Sequence, residues 1–258
     1  MGKVTVINTN VASLKTQASL SSSVRGFERA MEQLSTGKRI NSADDDAAGM
    51  AIATSFGGKV KSLNQAIRNA NDGISFIQTA DGAMQQMGDI LQRLRELATQ
   101  WSNGTYSSDD IDNIQIESQA LVDELDRITT DTTWNDITLL NGASITIQLE
   151  DSTVDVELDD VSDLGVELDS DVTAIDDALV TLAAARSTAG SFVNRFQFTV
   201  DNLTAVSVHL SESASRIQDA DYGQASSELA KYQVIRQAAT AMLAQANQQP
   251  QLVLSLLK

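Results

Sequence analysis

From about Asp45 to Gln100 the chain has no proline, and an apolar residue returns every three or four positions. Val60, Leu63, Ile67, Ala70, Ile74 and Ile77 form a heptad seam. Met84, Met87, Leu91, Leu94 and Ala98 continue it after a change of phase near Asp81. Such a change is a stutter, which alters the supercoil locally. At the rise of an α-helix the segment is roughly 80 Å long. A helix of that length buries its apolar stripe only against neighbours that run beside it for its whole length. Pro250 is the only proline in 258 residues and aromatic residues make up 4%, which suits long helices better than a thick globular core.

The rest of the chain supplies the neighbours. Val24, Phe27, Met31 and Leu34 recur at helical spacing, and Ser35-Thr-Gly37 and Asn41-Ser42 mark a break. After the turn signal Asn103-Gly104, Ser108 reads as the N-cap of a third helix with the seam Ile111, Ile114, Ser118, Leu121, Leu125 and Ile128. Past Asn141-Gly142 the period becomes two. Ile145, Ile147 and Leu149, then Val154, Val156 and Leu158, alternate with polar residues and are joined by Glu150-Asp-Ser-Thr153. This predicts a β-hairpin with one apolar face and with Asp155, Glu157 and Asp159 on the other. The helical period resumes at Ile175, Leu179 and Leu182 and runs through Phe192, Phe196, Leu203, Val206, Leu210 and Ile217. A last helix, from about Glu228 to Leu257, carries Leu229, Ile235, Met242, Leu252 and Leu256, with Pro250 kinking it or starting its final turn. The fold class that follows is mainly α: a long antiparallel helical bundle or coiled coil with one small β-hairpin region.

Both chain ends are amphipathic, and neither holds enough apolar surface to stand alone; chain ends carry such patterning when they dock on something. The simplest arrangement pairs the first helix with the last, antiparallel, and leaves faces rich in small residues such as Ala244 and Ala246 for other copies. Charge is divided unevenly. The net charge is −17, and no Lys or Arg lies between Arg127 and Arg186, a stretch with 14 Asp and Glu; the flanks hold 21 acids against 18 bases. Near-neutral flanks can pack against copies of themselves, while the acidic middle belongs in water. Nucleic acid and anionic membranes are poor partners for such a chain.

Other chemistry is thinly represented. There is no cysteine, hence no disulfide or thiolate metal site. His209 is the only histidine, so no H-E-x-x-H metal site can be built, and its neighbours Val208 and Leu210 suggest a helix surface rather than a catalytic pocket. Ser55-Phe-Gly-Gly-Lys59 lacks the spacing of a phosphate-binding loop, and the acidic stretch lacks the order of an EF-hand. No catalytic, cofactor-binding or metal residue is expected. No apolar run spans a bilayer, and Thr5, Asn8, Thr9 and Asn10 interrupt any secretory core segment. Met1-Gly2 begins like a myristoylation signal, but Val6 stands where Ser or Thr is needed.

Seven motifs, in order, carry a resemblance: Ile7-Asn-Thr-Asn10; Leu34-Ser-Thr-Gly37; Arg39-Ile-Asn-Ser-Ala43 with Asp45-Asp-Ala-Ala-Gly49; Leu91-Gln-Arg-Leu-Arg-Glu-Leu-Ala98; Asn194-Arg-Phe196; Ser215-Arg-Ile-Gln-Asp-Ala-Asp-Tyr222; and Leu243-Ala-Gln-Ala-Asn-Gln-Gln-Pro250. The chain resembles bacterial flagellin, the subunit of the flagellar filament, in a short form without large outer domains. Asp44, the start Gly2-Lys-Val-Thr-Val6 and residues 198–208 depart from the commonest pattern.

The resemblance implies a self-assembling structural subunit for swimming motility, located in the extracellular flagellum and exported unfolded without a cleaved signal peptide. Its partners would be other subunits, the export apparatus, an export chaperone, and the cap and junction proteins. Residues 1–43 and 217–258 would form the inner tube, with Ile7, Leu14, Val24, Phe27, Met31, Leu34, Leu229, Ile235, Met242, Leu252 and Leu256 in its polymerisation contacts. Residues 44–216 would form the outer helical layer, including the hairpin at about 143–160, whose Ile145, Ile147, Leu149, Val154, Val156 and Leu158 correspond to the region linked to switching of filament form. Arg93, Leu97, Gln100 and Glu117 match the face that a host Toll-like receptor contacts in related flagellins. Two other readings compete: a hook–filament junction protein with similar ends, and a soluble helical ligand or signalling module. The run from Gln245 to Leu257 favours the filament subunit.

Overall fold

The structure, a computed structural model, describes residues 9–166 and 171–256, with backbone alone for 249–256. Helix α1 (Val11–Thr36) is followed by α2 (Ala47–Trp101) and α3 (Ser108–Asp131). Two short antiparallel pairs come next: β1 (Thr133–Trp134) with β2 (Ile137–Thr138), and β3 (Ser144–Leu149) with β4 (Ser152–Glu157). Helices α4 (Val172–Gln218) and α5 (Tyr222–Leu256) complete the chain, so the fold is mainly α. It forms two compact units. Residues 1–58 and 210–258 make the first and residues 59–209 the second, divided within α2 and α4.

In the second unit the seam of α2 is more regular than its large residues imply. Leu63, Ala66, Ala70, Gly73, Ile77, Ala80, Met84, Met87, Leu91, Leu94 and Ala98 are all buried, at alternating steps of three and four with no break near Asp81. The expected stutter is therefore absent. Ala66, Gly73 and Ala80 occupy alternate seam positions, whereas Val60, Ile67 and Ile74 flank them half-buried. Across the core, Ile175, Ala178, Leu182, Ala185, Ala189 and Phe196 of α4 are buried on the same 3–4 rhythm. Val206, expected in this stripe, is 39% exposed, and Ser207 is buried in its place.

Helix α3 begins one residue earlier than expected, because Ser107 is its cap. The Ser107 hydroxyl accepts from the Asp110 N–H, and Asp110 reaches back to the Ser107 N–H at 3.2 Å, a capping box that satisfies two orphan donors. The β1–β2 turn escaped the sequence reading: Asn135 and Asp136 both adopt positive φ (48° and 65°), the backbone that a tight two-residue hairpin requires and that Asn and Asp tolerate.

The β3–β4 hairpin has the register Ile145↔Val156 and Ile147↔Val154, with Glu150 and Asp151 alone as its turn, two residues fewer than expected. Leu158 lies just past β4, held by its N–H donating to Ala143 O at 2.9 Å, and is buried. The apolar face joins the core, where a Cβ on Gly73 would come within 3.3 Å of Ile147. Glycine at 73 therefore lets the hairpin lie close against α2, and Asn69 Nδ2 donates to Gln148 O (2.9 Å) to fix it there.

The first unit is built differently. α1 and α5 run antiparallel, as Asn10 meets Ala246, Ser23 meets Tyr232 and Lys38 bridges Asp219. Helix α5 starts at Tyr222, six residues before the expected point, because Asp221 Oδ1 accepts from the N–H groups of Gly223 (2.8 Å) and Gln224 (3.1 Å). It continues past Pro250 to Leu256.

Candidate assembly surface on the terminal helices

The α1–α5 pair is joined through small residues. Ser23 and Ala30 are buried on α1, and Ala225, Ala239 and Ala246 on α5. A Cβ on Gly26 would collide with the Tyr232 ring, so the two helices approach closely there. The guanidinium of Arg236 lies 4.6 Å from the centre of the Phe27 ring, a cation–π contact. Ala246, expected on a face left open for other copies, is used within the chain; Ala244 is exposed.

With small residues at the seam, several large ones remain outside. Val11, Leu14 and Met31 on α1 are 51–57% exposed, and Val234 and Met242 on α5 are 65% and 62% exposed. Ile235 is exposed as well, while Val24, Phe27, Leu34 and Leu229 are half-buried. Ile7 and the side chains of Leu252 and Leu256 lie outside the described residues. In this unit the fully buried hydrophobic residues described are Ile40 and five alanines, at 30, 53, 225, 239 and 246. That is a small core for helices of 26 and 35 residues, and no large apolar side chain described on either helix is fully buried.

The sequence motifs of this unit act as terminators and caps. Asn10 Oδ1 accepts from the Ser13 N–H (3.0 Å) as the N-cap of α1, and Asn10 Nδ2 donates to Ala246 O (2.8 Å). Gly37, at φ 72°, ends α1 with its N–H on Gln33 O, a left-handed cap that glycine adopts without strain. The Asp45 carboxylate accepts from the N–H groups of Asn41 (3.1 Å) and Ser42 (3.2 Å) and lies 3.5 Å from Arg29. Partial burial opposes its ionisation, but these backbone and hydroxyl donors together with Arg29 prevail and hold it below the usual carboxylate range. Asp46 Oδ1 accepts from the Gly49 N–H (2.9 Å) in the first turn of α2, and a Cβ on Gly49 would run into Ile40 and the Asp46 carboxylate.

In the second unit, Arg93 donates through Nε and Nη2 to Glu117 Oε1 (2.9 and 2.7 Å) and through Nη1 to Glu96 (2.9 Å). These bonds raise the Arg93 pKa above its ordinary value. Gln100 is half-buried. Leu97 departs from expectation: at 2% exposure it faces the interior. Spacing places residues 93 and 97 on neighbouring parts of one helix face, but the 94/97/98 side of α2 turns inward to fill the seam. The face open to a partner here is polar. Among the described residues no group of His, Cys, Asp and Glu is arranged to hold a metal ion, and no helix is long and apolar enough to cross a membrane.

Residues 7–144 match the family model of the bacterial flagellin N-terminal helical region, and residues 172–257 that of the C-terminal helical region. The flagellin of Halalkalibacterium halodurans is 40% identical, over 98% of this chain and 100% of that protein. The flagellin of Bacillus subtilis is 37% identical over 98% and 99%, and the flagellar filament 33 kDa core protein of Treponema phagedenis 34% over 98% and 100%. A crystal structure of Bacillus cereus flagellin is similar over 53% of this chain and 88% of that one, at 32% identity and a TM-score of 0.49. With both helical regions matched in order and relatives aligned end to end, this chain belongs to the bacterial flagellin family.

Proposed function

We propose that this protein is a structural subunit that self-assembles into the bacterial flagellar filament outside the cell and so serves swimming motility. The observation that carries this reading is the pairing of α1 with α5 through small residues, which leaves Leu14, Val234 and Met242 exposed. Exposed apolar side chains on two adjacent helices are a contact surface awaiting partners, and copies of the same chain supply them. Full-length similarity to filament proteins supports this reading over a junction protein or a soluble ligand. Residues 1–43 and 217–258 are assigned to the inner tube and residues 44–216 to the outer layer, with the 145–158 hairpin as the element that biases filament form.

Export apparatus, export chaperone, cap and junction proteins are the further partners of such a subunit, reached without a cleaved signal. A receptor reading of the second unit rests on exposed Arg93 and Glu117 and half-buried Gln100, the members of the expected set that do not face the interior. Seeded polymerisation followed by electron microscopy tests the main reading. Filament growth from purified subunits is expected; a monomer that neither elongates seeds nor forms filaments at any salt concentration overturns it.

A further inference from the structure

Asn103 and Gly104 lie in the loop between α2 and α3 and have no part in the assembly reading. We propose that this step is a site of spontaneous deamidation, and that the fold confines the reaction to it. In this chemistry the Gly104 backbone nitrogen gives its proton to solvent base and attacks Cγ of Asn103. A C–N bond forms, the Cγ–Nδ2 bond breaks, and the leaving nitrogen takes a proton back from solvent and departs as ammonia. Water then opens the resulting five-membered imide at either carbonyl, giving aspartate or isoaspartate. No oxidant, metal or enzyme is needed.

Reaction requires an unhindered nitrogen, an unheld side chain and a backbone free to rotate, and the loop provides all three. Asn103 is exposed, and nothing lies within 4 Å of where a Cβ on Gly104 would stand. The loop's backbone bonds come from the N–H groups of Ser102, Asn103 and Tyr106, the last at 3.5 Å. Among the described residues, neither the Gly104 N–H nor the Asn103 side-chain amide has a hydrogen-bond partner.

The other candidate steps are restrained. Asn141 and Asp160 pair as an isolated antiparallel backbone bridge, and the segment is clamped on both sides by Val161 N–H on Leu140 O (3.0 Å) and Leu158 N–H on Ala143 O (2.9 Å). Gly142 is fixed at φ 75° within that clamp. Asp72-Gly73 and Asp81-Gly82, which would reach the same imide by losing water rather than ammonia, lie inside α2, where the glycine N–H is committed to the helix ladder. Attack at any of these must await local opening, whose cost depends on how well the segment is tied down.

Conversion places a new carboxylate just past the C-terminus of α2, the end of a helix that disfavours negative charge. The isoaspartate product also inserts a methylene into the main chain of a short connection. The consequence is fraying of the last turn of α2 and a more acidic species.

The test is incubation of the folded monomer in mildly alkaline buffer at body temperature, followed by peptide mapping. The peptide containing Asn103 should gain about one dalton and split into aspartate and isoaspartate forms, at least about tenfold faster than the peptide containing Asn141. Under denaturing conditions the two should react at similar rates. Gly104→Ala, which meets open space, should slow the first reaction and leave far-ultraviolet circular dichroism unchanged. Equal rates at Asn103 and Asn141 in the folded protein, or a stable Asn103 while the denatured chain converts, would overturn the proposal.

Discussion

The two compact units share helices and differ in almost everything else. Residues 59–209 hold 26 Asp and Glu against 8 Lys and Arg, while residues 1–58 and 210–258 hold 9 against 10. The acidic unit has a core of Phe76, Ile77, Met87, Leu91, Phe196 and their neighbours, closed by a hairpin. The near-neutral unit is joined through alanines and buries no large apolar residue but Ile40, whereas the acidic unit, although Ile116, Val180 and Phe198 are exposed, encloses a core of large side chains. A domain that must be stable alone hides its large side chains. A surface that must bind its own copies cannot do so, and cannot carry strong like charge either. On the proposed function, one chain divides the two tasks between its middle and its ends.

The sharpest way to break this contrast is to cut into the acidic unit. Phe196→Ala should cost about 3–5 kcal/mol, read as a lower denaturant midpoint of the dilute monomer. A loss under 1 kcal/mol would mean that this core does not carry the monomer's stability. The converse change, Leu14→Ser with Met242→Ser, should leave that midpoint within about 0.5 kcal/mol. It should raise the critical concentration for seeded growth by tenfold or more, since burying one such side chain is worth about 1.5–3 kcal/mol. Unimpaired growth would remove these residues from the contact surface.

Gly26→Ala sets a methyl group against the Tyr232 ring and should cost about 1–3 kcal/mol, seen as faster proteolysis of α1 and α5. Asp45 provides a pH test. Its folded pKa is depressed, so its contribution is present above the unfolded value near 4 and is lost as pH falls through the lower, folded value. Asp45→Asn should therefore cost about 1 kcal/mol at neutral pH and flatten the acid limb of protection in the first unit. An unchanged acid limb would show that Asp45 contributes nothing there. Smallest is Gly57→Ala: nothing lies within 4 Å of its Cβ position, so removing a mid-helix glycine should stabilise α2 by about 0.5–1 kcal/mol. Destabilisation of the monomer would point to a contact made by neither unit as described.

Much of this was legible because helical periodicity and capping chemistry are local. The break at Gly37, the long α2, the alternation of 145–149 with 154–158 and the acidic middle follow from spacing and charge alone. What spacing could not supply was the part played by small residues. Ala66, Gly73 and Ala80 carry no hydrophobic signal strong enough to mark a seam, so the larger Val60, Ile67 and Ile74 suggested a phase change that the packing does not contain. Leu97 illustrates the same limit: its face depends on where α2 is rotated, and its neighbours decide the rotation. The Asn135-Asp136 turn had a visible signal, two residues tolerant of positive φ between a Trp and an Ile, but strands of two residues are too short for alternation to declare them.

By itself the sequence determined that this is a helical protein with amphipathic ends, an acidic middle and the 145–158 hairpin, because repeat period, caps and charge are properties of neighbouring residues. Only the tertiary structure decided which residues the terminal helices spend on each other. Close approach at Gly26 and Ala246 consumes the small side chains and leaves large ones such as Leu14, Val234 and Met242 outside, and that choice depends on the distance between two helices separated by most of the chain.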